Sequence, residues 1–510
     1  MRNFLILFFV SLAITVSSCR QDFVFEPSTG DLFFSKDTVY LDTVFTNIGS
    51  STYTLKVYNR SNKDIKIPTI QLGKGQNSKY RMTVDGMTGE NNRIFHDVEL
   101  LAKDSMYIFI EVTSDVADAN PTDFLYTDQI QFDSGVNFQK VELVTLIQDA
   151  YFLYPKRFSD GTTETLNIDG IDEPIYGFFL DENDPVNGNE YNWGNDKPYV
   201  VYGYAAIPGG KILTVQPGAR VHFHADSGLI VGNGGTFKAL GTIENKIVFE
   251  GDRLEPDFSD VPGQWETIWL TAGSTNNEIE NVIIKNAIVG LNIDSNDGNF
   301  MTIKNTQIYN SSLIGLYAKT AKIQGENMVI NYAGVASLAC TLGGSYEFKQ
   351  CTFNNNWSSS RQVAVLVDNF YIDANDNEVA FDLEQANFRN CIIFGSNQVE
   401  LLLNKSTVNP QTNWTTPIFS KCQIKFNNNN NQFTNNPNYA FINDTNEIIK
   451  NGDPDFYDVN DNKLMIGNVS AAKGFGDNVG VANDILGILR TQTDGKYDLG
   501  AYQHEIFPSN

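Results

Sequence analysis

The residues with most chemistry to offer gather in and beside one stretch, 354–386. Trp357 stands in NNNWSSSR, an indole among small polar side chains, and Trp193 in YNWGND and Trp414 in TNWTTP repeat the arrangement. Such a ring stacks on the apolar face of a sugar while Asn and Ser bond its hydroxyls. The alternative is that each Trp folds its own loop down onto the protein. Arg361 and Arg389 flank Asp368, Asp373, Asp376 and Asp382. Those charges either pair with one another at the surface or supply a base and acids to one site.

Asp373, Asn375 and Asp376 form a D-x-N-D pattern that recurs at Asp181/Asn183/Asp184, Asp294/Asn296/Asp297 and Asp458/Asn460/Asp461. Hard oxygen ligands at that spacing suit calcium, which makes it the candidate cofactor, although none of the copies continues into a full EF-hand loop. Asx turns explain the same spacing without metal. HFH at 222–224 puts two histidines on one strand face, without the further ligands zinc needs. Those histidines are expected at the surface or in a cap.

A repeated phrase must position these residues. FKQCTF (348–353), FRNCII (388–393) and FSKCQI (419–424) align with IENVII (279–284), IKNTQI (303–308) and GENMVI (325–330). Apolar residues fill the first, fourth and sixth places, except Thr306 at one fourth and Gly325 at one first; Ile247/Phe249 and Val221/Phe223 extend the last two upstream. Fourth positions at 282, 306, 328 and 351 recur every 22 to 24 residues. Longer steps are the same unit plus a loop. A period of that size marks a solenoid whose units stack on their neighbours. The units hold short strands broken by Asn, Ser or Gly. The 35 Phe, 22 Tyr and 40 Gly fit a mostly β chain with a large core.

In such a coil alternate residues point inward and stack. Cys351, Cys391 and Cys422 then share one interior column as small apolar side chains. The residue before each fourth position is Asn281, Asn305, Asn327, Gln350, Asn390 or Lys421. Amides there form a ladder at a bend, where Asn tolerates left-handed backbone.

With those residues in view, 200–430 resembles the right-handed parallel β-helix of pectin-lyase-like proteins. It is also similar to secreted β-helix lipoproteins of the Bacteroidetes type, through KILTVQPGARVHFHADSGLIVGNGGTFKALGT (211–242), VPGQWETIWL (261–270) and DLGAYQ (498–503). The tail resembles that of many surface β-helix proteins, with Asp484, Gly487, Arg490, Asp498 and Gly500 at recognisable positions. The resemblance makes Trp265 and Trp269 structural and brings two catalytic templates. Hydrolases of the fold carry clustered aspartates with Gly-His-Gly; none of the four His sits so, and the repeated strands hold no Asp-Asp pair. Lyases use a basic residue with calcium-bound acids, which makes Arg361, Arg389 and Asp368 the catalytic candidates.

The start of the chain is exported in character. Arg2 precedes an apolar stretch, Phe4 to Val16, too short to span a bilayer comfortably, ending VSSC. This resembles a bacterial lipobox, which implies cleavage before Cys19 and lipid on that residue. Between tether and solenoid, alternating segments such as TVYLDTVFTN and DSMYIFIEVTS read as a β-sandwich. TLKVYNRSNKDIKI (54–67) resembles immunoglobulin-like domains of the ASH/MSP group. Net charge of −25 disfavours nucleic acid and anionic lipid as partners.

The expectation is an all-β chain in five parts: signal peptide (1–18), lipidated Cys19 and tether (19–30), immunoglobulin-like sandwich (31–150), right-handed parallel β-helix (151–430), and irregular final coils with a cap (431–510). The expected role is non-catalytic glycan binding or adhesion by a lipid-anchored protein of the cell envelope, at the outer membrane. The alternatives are a polysaccharide lyase or hydrolase with a divergent site in 354–386, and a structural surface module. Fold alone does not choose.

Overall fold

The structure is a computed structural model that describes residues 23–168, 171–407 and 412–508. Cys19 and the leader lie outside the described residues. Two compact units divide the chain at Asp149/Ala150.

The first unit is an immunoglobulin-like sandwich. One sheet contains Ile65–Leu72, Leu125–Phe132, Gln139–Gln148 and Thr38–Phe45, with Ile94–Leu100 beside Ile65–Leu72. The other runs Leu32–Phe34, Tyr53–Asn59, Ser105–Val112, Tyr80–Val84. Period-two burial makes the core: Met106, Ile108, Ile110 and Val112 point inward while Tyr107 and Phe109 face water. The sandwich starts before 31. Glu26–Pro27 pairs in parallel with Ile65 and Lys66, and the buried Ser28 hydroxyl donates to Asp133. The second half of the expected tether is therefore an edge strand, because its backbone finds partners on Ile65–Leu72.

The second unit is a parallel β-helix with three long sheets, here A, B and C, of eleven, ten and nine strands. A typical coil runs Met301–Lys304 in C, Gln307–Ser311 in A and Ile314–Lys319 in B. Each strand pairs in parallel with its equivalent one coil on. The repeat's sixth position is an interior column: Phe249, Ile284, Ile308, Ile330, Phe353, Ile393 and Ile424 lie in register and are fully buried. Fully burying each such side chain stabilises by roughly 1.5–3 kcal/mol. The opening coil differs from the sequence alignment by two residues. Val221 pairs with Phe249, not Ile247.

Cys351, Cys391 and Cys422 occupy one interior column, all buried and free. Each thiol points at a carbonyl, Cys391 at Phe348 O (3.7 Å) and Cys422 at Phe388 O (3.4 Å). Burial pushes the Cys351 and Cys422 thiols well up, so they stay protonated. Beside them Phe348, Phe388, Phe419 and Phe441 stack with ring centroids 5.2, 4.8 and 4.7 Å apart.

Between C and A the chain turns on one residue. Asn281, Asn305, Asn327, Gln350, Asn390 and Lys421 have φ of 53°, 47°, 50°, 53°, 54° and 51°. Asn is among the few non-glycine residues that visit this left-handed region routinely. Their N–H groups keep the ladder going, as from Asn305 to Glu326 O (3.0 Å) and Gln350 to Arg389 O (3.0 Å).

The far end of the stack differs from the sequence expectation. At the start, Tyr151–Leu153, Ile175–Phe179 and Asn192–Trp193 are the strands of the opening coil. At the other end Tyr439 and Ile442 close the core, and the Tyr439 hydroxyl accepts from Leu403 N (2.8 Å). Residues 453–508 are not part of that cap. They run back as a strap over the outer face of sheet A, where Leu464, Ile485, Ala501 and Tyr502 bury Val329 and Tyr309. Ile466, Ala472 and Leu499 cover Ile392. Outward apolar residues on sheet A need that cover.

Candidate functional site

Of the three tryptophans expected to meet a glycan, one is fully withdrawn from solvent and a second is half-buried against the main core. Trp193 is 0% exposed and stacked on Tyr199 at 5.1 Å. It is a core residue because Asn192–Trp193 is a sheet C strand, in register with Thr214 and Val215. Trp414 packs against the main core, bridges to Leu383, and has a buried indole nitrogen.

Trp357 differs from both in lying off the main core. It sits in the corner loop between sheets A and B, half-buried, with its ring 4.8 Å from Tyr332. Gly334 lies below: a Cβ there would meet the indole at 3.7 Å. The loop is held from several sides. Trp357 N donates to Asn355 Oδ1 (3.1 Å), and Ser396 Oγ donates to Trp357 O (3.0 Å). Asn356 Nδ2 reaches Val459 O of the strap (3.1 Å), and Asn397 Nδ2 reaches Ser359 O (3.0 Å). Beneath is a buried carboxylate, Glu400, which accepts from Ala364 N (2.8 Å) and Asn397 N (2.6 Å). Burial pushes its pKa up to about 7. Gln362 Nε2 donates to Glu400 Oε1 (3.4 Å); the sequence points to neither residue except through a glutamate inside a strand-forming run (VELLLN).

The catalytic candidates do not assemble. Arg361 is exposed in the same loop, whereas Asp368 ends the strand that follows it, Val363–Asp368. That extended path separates them by roughly 20 Å. Asp368 accepts from Leu342 N (3.0 Å), and burial raises its pKa to about 6. Arg389 lies on the outer face of sheet C in register with Lys349, a cation beside a cation. Neither arginine makes an ion pair with a described residue, so the expected surface pairing is absent there too.

The calcium candidates are turn residues. Asp373 Oδ1 accepts from the N–H groups of Asn375 and Asn377, both at 2.8 Å, closing a hairpin between Phe370–Ile372 and Glu378–Ala380. These bonds hold its carboxyl below the usual range. Asp181, Asp184, Asp297 and Asp458 also accept from backbone two residues on. Among the described residues no group of three acids, His or Cys is set to hold a metal. His222 is buried rather than superficial, bonded at Nδ1 to Gly251 O (3.1 Å), while His224 is exposed and meets Asp252 (2.7 Å).

The amide ladder has a second role that sequence did not reveal. Asn327 Nδ2 donates to Asn305 Oδ1 (3.0 Å) and to Asn483 O of the strap (3.0 Å). Its own oxygen accepts from Arg490 Nη2 (2.8 Å). The Gln350 amide accepts from Asn390 Nδ2 (2.9 Å) and donates to Gly500 O (3.0 Å). Asn390 also donates to Asp477 O (2.7 Å). The corner residues thus dock the strap that pins the Trp357 loop.

No family model matches the chain, and no curated protein matches it. Among solved structures it is similar to the periplasmic chaperone SfaE at 13% identity, covering 23% of this chain and 58% of that one, TM-score 0.16. The ASH / PapD-like domain of human CEP192 matches at 13% identity over 26% of this chain and 96% of that one, TM-score 0.15. A family 123 glycoside hydrolase from Clostridium perfringens matches at 8% identity over 23% and 26% of the two chains, TM-score 0.17. The chain spans a little over half the length of the chaperone. Likeness at this level concerns fold alone.

Proposed function

We propose that this is a lipid-anchored protein of the bacterial cell envelope that uses its β-helix to hold a glycan without cleaving it. The observation that carries the reading is the Trp357 loop. It presents a half-buried ring, tilted against Tyr332, on a backbone fixed from the neighbouring coil, the strap and the buried Glu400. A pre-ordered ring costs little entropy on binding, and ring stacking with flanking amides and hydroxyls suits a sugar. Arg361, four residues on and without an acidic partner among the described residues, adds a free donor for a hydroxyl or carboxylate. Membrane attachment rests on the sequence at Cys19.

The test is a glycan array probed with the protein and with Trp357→Ala. Binding that disappears in the variant supports the proposal. Release of unsaturated or reducing sugar, abolished by Arg361→Ala, replaces it with a lyase or hydrolase; silence in both assays replaces it with a structural module.

A further inference from the structure

The closed end of the β-helix contains a cavity of about 540 Å³, walled by the polar tract 427–436 and the end of the core. Small-ligand sites span roughly 300–1,000 Å³, so this one is of that class. Its wall chemistry is specific. Asn428 is spent on Phe433 N (3.2 Å) and Thr434 Oγ1 (3.2 Å). Asn451 is spent on Phe426 N (2.6 Å), and Asn436 on Asn438 N (3.0 Å). Asn427, Asn429 and Asn435 line the same cavity, and their side-chain amides bond no described residue. The floor is aromatic: Phe433 lies 4.8 Å from Tyr439 and 5.6 Å from Phe426. Among the described residues no carboxylate lines the cavity, and the one cation there, Lys450, is exposed and donates to Asn443 Oδ1 (2.6 Å).

Each free amide offers a donor and an acceptor side by side, which matches the paired character of vicinal hydroxyls. The ring floor suits a C–H face. A divalent cation would find no anionic ligand, and the single cation offered to an anion is an exposed lysine, screened by water. From this combination we infer that the end cavity is a binding site for a neutral, hydroxyl-rich ligand, a terminal pyranose residue. It is separate from Trp357 and does not depend on the reading above.

The test is saturation-transfer NMR on the full chain with methyl α-D-glucopyranoside, methyl α-D-mannopyranoside and methyl β-D-galactopyranoside, and with sodium glucuronate as the charged control. The expected result is transfer to at least one neutral glycoside, with glucuronate weaker. The double variant Asn427→Ala/Asn435→Ala loses two hydrogen bonds of about 1 kcal/mol each, weakening binding roughly 10- to 30-fold. Neither side-chain amide bonds a described residue, so the variant keeps its thermal midpoint, and Trp357→Ala leaves this signal in place. The inference is overturned if no neutral glycoside shows transfer, if the double variant binds as tightly as the parent, or if Trp357→Ala alone removes the signal. Failure here with Trp357-dependent array binding intact rejects the end cavity and spares the platform.

Discussion

Replacing Arg490 with Met should release the strap and leave the coils standing. Arg490 is 5% exposed and donates through Nη2 to Asn327 Oδ1 (2.8 Å) and Gly500 O (2.9 Å). Burial lowers its pKa to about 10, so it stays charged at neutrality, and Asp484 and Asp498 oppose that shift. Both carboxylates are themselves buried. Removing the guanidinium takes away two charge-assisted bonds of about 1.5–3 kcal/mol each and leaves the buried Asn327 Oδ1 without its donor. The strap bonds that depend on this geometry are Ile485 N to Ala501 O (3.0 Å), Gln503 N to Asp484 Oδ2 (3.0 Å) and His504 N to Asp498 Oδ2 (2.9 Å). Native-state hydrogen exchange reads them individually. A local opening made easier by that energy speeds exchange across 484–504 by roughly 10²- to 10³-fold. Amides of sheet B, such as those pairing Leu316 with Leu338, should not change. Unchanged protection across 484–504 would refute the latch. Equal loss of protection in sheet B would refute the strap's independence from the coils.

Other consequences follow from the same geometry. Asn305→Val should lower stability by about 1–2 kcal/mol, since a β-branched residue is forced to the φ of 47° found there, while Asn305→Gly should cost less; chemical denaturation checks the order. Cys391→Leu should cost about 1–3 kcal/mol by overpacking the interior column, and Cys391→Ala less, read as shifts in the denaturation midpoint. Burial raises Glu400 from an ordinary 4.5 to about 7. The folded state then holds a proton the unfolded chain has lost, so stability falls as pH climbs from 4.5 to 7, by roughly 3 kcal/mol for this group. Asp368, raised from 3.8 to about 6, acts in the same direction over a lower window. Denaturation across pH 4–8 should show the decline, and Glu400→Gln should flatten its slope whatever its absolute stability.

The solenoid was legible because its evidence is periodic. Phe348, Phe388 and Phe419 recur with the cysteines three residues on, and stacking puts like beside like. The left-handed corners were legible from Asn, whose backbone tolerance is a property of the residue. The strap was not. Its contacts are polar bonds to corner amides and backbone carbonyls, with Ile485 and Tyr502 buried out of any period. Trp193 was misread because Asn and Gly neighbours make the segment locally polar. Only its register with Val215 reveals the interior position. Glu400 and the end cavity depend on which amides are already bonded, and that is settled by packing between distant segments.

The most direct test of the central claim takes the strongest array glycan and follows it two ways in one sample, by calorimetry for binding and by chromatography for chain length. The account predicts saturable binding that weakens about tenfold or more in Trp357→Ala, as expected for losing a stacked ring, with the glycan recovered intact. Shortened or unsaturated products that disappear in Arg361→Ala, or undiminished binding by Trp357→Ala, would contradict it.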